Sequence, residues 1–87
     1  MKKFLTVQEV ADEGLDGLLG ERVAVWCECY IYAGILAGVN ETCILLEDAK
    51  VVYETGLLCE PGFKDAQNLP GPWYVQIAKI ESFGVMA

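Results

Sequence analysis

From Val23 onward the apolar residues alternate with a period of two, and no helical stretch separates one alternating run from the next. Such alternation predicts β-strands, because successive side chains of a strand point to opposite faces. Strands that follow one another without a long crossover pair antiparallel. We therefore predict five strands and a sixth short one, over residues 23–32, 35–39, 43–46, 50–54, 73–80 and 83–86.

Glycine and proline mark the places where these strands bend or end. Gly34 and Gly38 interrupt an apolar run, which is typical of a bend or bulge within a strand. Residues 56–72 contain three glycines and three prolines, so this segment is predicted to be one long loop. Its apolar residues Phe63 and Leu69 suggest that this loop folds back onto the sheet. The chain is predicted to be mainly β, a single small and strongly bent antiparallel barrel spanning residues 1–87.

The first part of the chain has a helical period instead. Apolar residues recur at three-four spacing between residues 6 and 19, and Thr6 with Glu9 forms a capping-box pattern. Gly14 and Gly17 disfavour a helix interior, so the helix could end near residue 13. We predict a short amphipathic N-terminal helix at about residues 6–19, lying across one end of the barrel.

Residues 19–49 resemble the Sm-like family of small barrels. The matching positions follow three strand patterns of that family: Gly20, Val23 and Val25; Gly34, Leu36, Gly38, Val39 and Asn40; and Ile44-Leu45-Leu46-Glu47-Asp48-Ala49. The resemblance implies an Sm-like or SH3-like barrel with an N-terminal helix, and a ring that binds RNA.

Three departures from the family pattern concern the RNA contacts. Asn40 stands where the family has an acidic turn residue, and Cys43 stands where it has a base-contacting asparagine. The arginine-glycine turn that the family carries between its last two strands is missing from residues 80–84, which contain Glu81 instead. The sequence therefore favours the barrel over the RNA-binding role.

Composition excludes several functions. The chain has no histidine, 13 acidic residues and 6 basic ones, for a net charge of −7. Without a histidine or a nucleophile beside a base, we predict no enzymatic activity. An acidic chain is repelled by duplex nucleic acid. The four cysteines form no C-x-x-C pair, so they are predicted to be reduced, buried thiols with no metal site. No cofactor, membrane span or secretion signal is predicted, and the expected location is the cytoplasm.

The candidate binding residues are strand aromatics, the lysines beside them and one turn residue: Trp26, Tyr30, Tyr32, Asn40, Lys50, Tyr53, Trp73, Tyr74 and Lys79. Tyrosine and tryptophan bury a large area and keep a polar group, which suits interfaces. Three interpretations stay open, namely cover for the barrel ends, a subunit interface and a surface on which a ligand stacks. The lysines would hold an anion or merely protect strand edges.

The sequence predicts a non-catalytic, homo-oligomeric binding module. By size and acidity the chain resembles the short barrel proteins of bacteriophages and mobile elements, in which case its location is the host cytoplasm. The first hypothesis is a counter-defence inhibitor that sequesters or blocks a basic protein surface. One alternative is a sponge for a small anionic nucleotide that uses aromatic stacking and lysine. The other is an Sm-like RNA-binding ring.

Overall fold

A computed structural model describes residues 14–58 and 62–86 of the chain. Two short 3-10 helices, Asp16–Leu18 and Ile77–Lys79, accompany six strands. The strands are β1 (Arg22–Cys27), β2 (Ile31–Val39), β3 (Cys43–Glu54), β4 (Asp65–Asn68), β5 (Trp73–Gln76) and β6 (Ile80–Val85).

All strand pairs in the described residues are antiparallel, which confirms the predicted mainly β fold. The sheet has the order β4-β3-β2-β1-β6, and β5 also pairs with β3. β4 and β5 lie along different halves of β3, because β4 pairs with Lys50 to Glu54 and β5 with Cys43 to Leu46. The outer strands are therefore β4 and β5 on one side and β6 on the other.

The predicted first strand, 23–32, is wrong as a single element. It is a hairpin in which β1 and β2 are joined by a turn, and the backbone N–H of Cys27 donates to the carbonyl oxygen of Tyr30 at 2.9 Å. The turn contains no glycine, proline or asparagine, so no residue in it marks a reversal. The alternation predicted that Tyr30 and Tyr32 share a strand with Trp26. In the structure they do not, because the chain reverses between them.

Two bulges bend the long pair β2–β3. Ala33 pairs with Lys50 and Ile35 with Glu47, which leaves one extra residue on β3 around Asp48. Asp48 has a φ of 51°, in the left-handed region that aspartate tolerates better than most residues. A second shift, between Leu36 and Gly38, leaves an extra residue on β2. Because β3 continues through its bulge, the predicted separate strands 43–46 and 50–54 are one bent strand.

The sheet buries apolar side chains on both faces, which explains why Val23, Ala24 and Val25 are all 0% exposed. The larger cluster contains Val23 and Val25 with Leu36, Ile44, Leu46, Ala49 and Val75. Ala24 points to the opposite face, where a smaller cluster comprises Ala24, Ala33 and Val52 with Trp26, Ile31, Phe63, Ala66 and Met86 around them. The predicted outward face of the first strand is therefore partly core.

The predicted loop 56–72 contains β4, and this prediction is wrong at residues 65–68. The segment Asp-Ala-Gln-Asn has no apolar alternation and becomes a strand because β3 supplies its backbone hydrogen-bond partners. Phe63 and Leu69 pack against the two core clusters, as expected of a segment that folds back. Likewise the predicted strand 73–80 is interrupted by the 3-10 helix Ile77–Lys79 before β6 begins.

The predicted N-terminal helix falls partly outside the described residues, since residues 6–13 are not among them. The described part is a turn followed by one 3-10 turn, Asp16–Leu18, and not an α-helix. Leu15 and Leu18 nevertheless pack against the larger core cluster. Within the described chain, no helix has the length and apolar character that crossing a membrane requires.

Candidate functional site

The described surface has a cleft of about 310 Å³, which we call the tyrosine cleft. It lies between the β1–β2 turn and β5. Three of the predicted aromatics line it together with Lys79. The full lining is Cys27, Glu28, Cys29, Tyr30, Tyr32, Tyr74, Val75, Gln76 and Lys79.

Pairing between strands positions the cleft walls. On β5, Val75 pairs with Ile44 and is buried, so its neighbour Tyr74 projects to the other face and is 67% exposed. Tyr30 lies in the β1–β2 turn and is 54% exposed. Its ring lies 6.2 Å from that of Tyr32 with the planes tilted by 54°, which is within the range of favourable aromatic pairs. Tyr32 thus packs against the ring of Tyr30 and helps to hold it in place at the cleft.

One ion pair lies at the rim. The Nζ of Lys79 donates to Oε2 of Glu28 at 3.3 Å, and the backbone N–H of Glu28 donates to the carbonyl oxygen of Lys79 at 3.3 Å. Both side chains are more than half exposed. Such an exposed pair contributes only about 0–1 kcal/mol to stability, so either side chain can exchange its partner at little cost.

Two side chains of the cleft wall, Cys27 and Tyr32, are only partly exposed. Burial, and secondly the negative charge of Glu81, raises the pKa of the Cys27 thiol. Burial is also the main cause that raises the pKa of Tyr32, with smaller contributions from Cys27, Tyr30 and Cys29. Both groups therefore stay protonated at neutral pH, and Lys79 and Glu28 carry the formal charges of this site.

The remaining predicted site residues lie elsewhere. Trp26 is half-buried against the smaller core cluster. Tyr53 donates from its hydroxyl to Oε1 of Gln67 at 3.1 Å, across the β3–β4 pair. Trp73 precedes Tyr74 on β5 and is 37% exposed.

Lys50 lines a separate pocket of about 60 Å³ that also contains Arg22 and Phe63. Arg22, Lys64 and Lys79 each pair with a carboxylate, whereas Lys50 forms no ion pair with any described residue.

Asn40 organises the turn between β2 and β3. Its Oδ1 accepts hydrogen bonds from the backbone N–H of Thr42 at 2.8 Å, from the Thr42 hydroxyl at 3.2 Å and from the backbone N–H of Cys43 at 2.9 Å. This acceptor is fully used within the turn. Asn40 therefore has a structural role in this turn.

The β2–β3 turn meets the connection between β5 and β6. The backbone N–H of Ile77 donates to the carbonyl oxygen of Thr42 at 2.9 Å. The predicted position of the last turn, 80–84, is wrong, since these residues belong to β6 and the connection is Ile77–Lys79. A cation, Lys79, therefore stands in this connection, but its ammonium pairs with Glu28 and lines the tyrosine cleft.

Sequence reasoning missed five residues of the cleft wall, namely Cys27, Glu28, Cys29, Val75 and Gln76. The two cysteines were interpreted as core thiols of one strand, and the hairpin turn instead places Cys29 at an exposed position. A predicted turn at residues 28–30 would have identified Glu28 as an exposed turn residue and therefore as a candidate for the site. Among the described residues, no group of three or more cysteine, aspartate or glutamate side chains is placed to hold a metal ion.

Comparison with known proteins places this chain by fold. No family model and no curated protein sequence matches it. The crystal structure of a heptameric archaeal Sm protein matches with a TM-score of 0.66 and 19% identity, over 84% of this chain and 96% of that one. The SmAP1 heptamer of P. aerophilum matches with a TM-score of 0.65 and 18% identity, over 84% of this chain and 88% of that one. The predicted resemblance is therefore confirmed at the level of the Sm-like fold.

Proposed function

We propose that this protein is the subunit of a homo-oligomeric ring that binds single-stranded RNA without catalysing a reaction. The observation that carries this proposal is the pair of strand edges at opposite sides of the sheet. Within the described residues, β6 pairs only with β1, and β4 and β5 pair only with β3. Each outer strand thus offers backbone N–H and C=O groups to another chain.

The two edges differ, which favours a ring over a two-fold dimer. If β6 of one copy pairs with the β4–β5 side of the next, the contact is head-to-tail and closes into a ring when the rotation permits. Exposed apolar side chains flank both edges, Trp73 and Tyr74 on β5 and Phe83 and Val85 on β6. Both structures of similar fold are heptamers, which supports the same architecture here.

A ring would repeat one RNA contact in every subunit. Among the residues that the structure describes, the junction of the β2–β3 turn with residues 77–79 carries Glu41 and Ala78 and no free cation. At a charge of −7 per subunit, neutralisation of phosphates is weak, so base stacking and repetition must provide the affinity. RNA binding at this junction should therefore depend little on salt.

Light scattering combined with fluorescence anisotropy tests the proposal. We expect a mass that is a multiple of 9.5 kDa and saturable binding of a uridine-rich or adenine-rich oligonucleotide. For single strands the logarithm of the affinity falls by about 0.7 per neutralised phosphate for each tenfold rise in salt. Two or fewer such contacts predict less than about a tenfold loss of affinity between 50 and 200 mM salt. A 9.5 kDa monomer that binds neither oligonucleotide would refute the proposal.

A second candidate is the blocking of a basic protein surface, as in a counter-defence inhibitor. Its support is the acidic surface, on which Arg22, Lys64 and Lys79 are already paired with carboxylates. Attraction between opposite net charges accelerates association and weakens as salt screens it. This function predicts salt-sensitive binding to a basic protein and no uptake of RNA in the same buffer.

A further inference from the structure

We propose that the tyrosine cleft is a binding site for one nucleotide, with its base against Tyr30 and Tyr74 and its phosphate on Lys79. The site is built by residues of a single protomer, so this proposal does not rest on the ring. The same chemistry has two sources, a free mononucleotide or one nucleotide of an RNA strand.

The aromatic wall indicates a flat ligand. Tyr30 and Tyr74 come from distant parts of the chain, the β1–β2 turn and β5, yet they face one concave space. Both leave more than half of their surface in solvent, although tyrosine rings usually cover apolar surface in a folded chain. Every nucleobase presents a π-face to such rings, and stacking is favourable whichever base is present.

The size of the cleft limits the ligand to a small molecule. Sites for small ligands commonly measure about 300–1,000 Å³, and this one, at about 310 Å³, stands at the lower end. One base with its sugar suits that space. A helix or a folded segment of another protein needs a longer groove.

Polar groups stand where a nucleotide requires them. The Gln76 amide offers both a donor and an acceptor for the edge of a base. Lys79 offers an ammonium that is held only by an exposed pair with Glu28, 58% and 60% exposed respectively. A phosphate can replace the Glu28 carboxylate as the partner of Lys79, because both are anions that accept from an ammonium.

Glu28 opposes the binding of a phosphate at Lys79, and this allows the role of charge to be tested. It competes with a phosphate for Lys79 and repels it directly, and the net charge of −7 adds further repulsion. A nucleoside, which has no phosphate, is insensitive to both effects. Lys79 and Glu28 should therefore change the affinity for a nucleotide in opposite directions and leave the affinity for the corresponding nucleoside unchanged.

Calorimetric titration with adenosine and with AMP tests the site in four variants. Tyr30→Leu should lower the affinity for both ligands at least about fivefold, which is the lower end of the loss caused by removing a stacking ring. Lys79→Met should lower the affinity for AMP and leave that for adenosine unchanged. Glu28→Gln should raise the affinity for AMP and leave that for adenosine unchanged. Tyr53→Ala is the matched aromatic control, since Tyr53 is 56% exposed but lies outside the cleft, and it should change neither affinity.

The outcomes test the nucleotide site independently of the proposed ring. Tyr30 and Lys79 belong to neither outer strand, so the mass by light scattering should stay unchanged in their variants. Absence of AMP and adenosine binding in the folded wild-type protein overturns the proposal, even where RNA binds. Equal losses in Tyr30→Leu and Tyr53→Ala overturn it as well. A short adenine-rich RNA in competition with AMP distinguishes the two sources, because displacement of AMP means that the RNA supplies the nucleotide.

Discussion

At the scale of single residues, Asn40 shows how a candidate ligand contact can be a structural group. The sequence predicts Asn40 as a binding residue because it stands where the Sm-like family has an acidic turn residue. The structure engages its Oδ1 with two backbone N–H groups and one hydroxyl. Side-chain oxygens of this kind replace backbone partners that a tight turn cannot supply.

Replacing Asn40 by alanine should therefore destabilise the protein. The loss of the acceptor leaves the N–H groups of Thr42 and Cys43 to water, and we expect a cost of about 1 kcal/mol in the free energy of unfolding. Urea unfolding measures it. Asn40→Asp is the control, because a carboxylate keeps the acceptor and should stay near wild type. A stability of Asn40→Ala equal to that of the wild type would contradict the structural role.

The cysteines of the cleft should differ in reactivity. The thiolate is the reactive form, and Cys27 is partly buried with a raised pKa, whereas Cys29 is exposed. At pH 8 iodoacetamide should label Cys29 before Cys27, as read by tandem mass spectrometry of the peptide that holds both. Faster labelling of Cys27 would show that the hairpin turn is not formed as described.

The same thiol implies a pH dependence of stability. The folded protein holds the Cys27 proton more tightly than the unfolded chain, whose thiol ionises near its ordinary value of 9.0. The stabilising contribution is complete below that value and is lost as pH rises through the folded pKa. Cys27→Ser should lose less stability than the wild type between pH 8 and pH 10.

At the scale of elements, the bend of β2 against β3 depends on one close backbone approach. A Cβ added at Gly34 would lie 2.8 Å from the carbonyl oxygen of Glu47 and 3.2 Å from the Cα of Ala49. Neither backbone atom can move without changing the bulge at Asp48. At Gly38 the nearest atom, the Cβ of Leu45, is 3.6 Å away, which is an ordinary contact.

The two glycines form a matched pair for mutagenesis. Gly34→Ala should lower the free energy of unfolding by about 1–3 kcal/mol, the usual cost of overpacking. Gly38→Ala should be neutral or slightly stabilising, because alanine reduces the freedom of the unfolded chain. Thermal and urea unfolding of both variants measures the difference. Equal effects would show that the bend does not need the close approach at Gly34.

At the scale of the whole molecule, the unlike outer strands predict how copies assemble. Each contact in a head-to-tail ring uses the β5 side of one copy and β6 of the next. Trp73→Lys on β5 or Phe83→Lys on β6 should each dissociate the ring, because lysine opposes edge pairing. Leu57→Lys, at a residue 65% exposed in the β3–β4 loop, is the control and should leave the mass unchanged.

A mixture of the two edge variants gives the sharper result. The Phe83→Lys protein keeps an intact β5 side and the Trp73→Lys protein keeps an intact β6, so together they can form one proper contact. Light scattering should then show a dimer in the mixture and monomers in each variant alone. A symmetric contact of β6 with β6 predicts instead that Trp73→Lys assembles as the wild type does.

Elements with a local signal could be predicted from the order of the residues. Alternating apolar residues predicted the β class and the regions of five of the six strands but not their bounds, and the glycine positions with the aliphatic pattern of residues 19–49 predicted the Sm-like fold. The sequence also predicts Tyr30, Tyr32, Tyr74 and Lys79 as binding residues, because strand aromatics beside a cation suit a subunit interface or a ligand site whatever the fold.

Tertiary structure alone decided what depends on partners distant in the chain. The polar segment 65–68 becomes a strand because β3 accepts it, and the run 23–32 reverses at a turn that has no turn residue. The tyrosine cleft exists because pairing of β5 with β3 brings Tyr74 to the hairpin that carries Tyr30. Periodicity reports which face a residue prefers, and it contains no information about which strand lies beside it. Pairing is set by backbone hydrogen bonds and by shared burial in the folded chain.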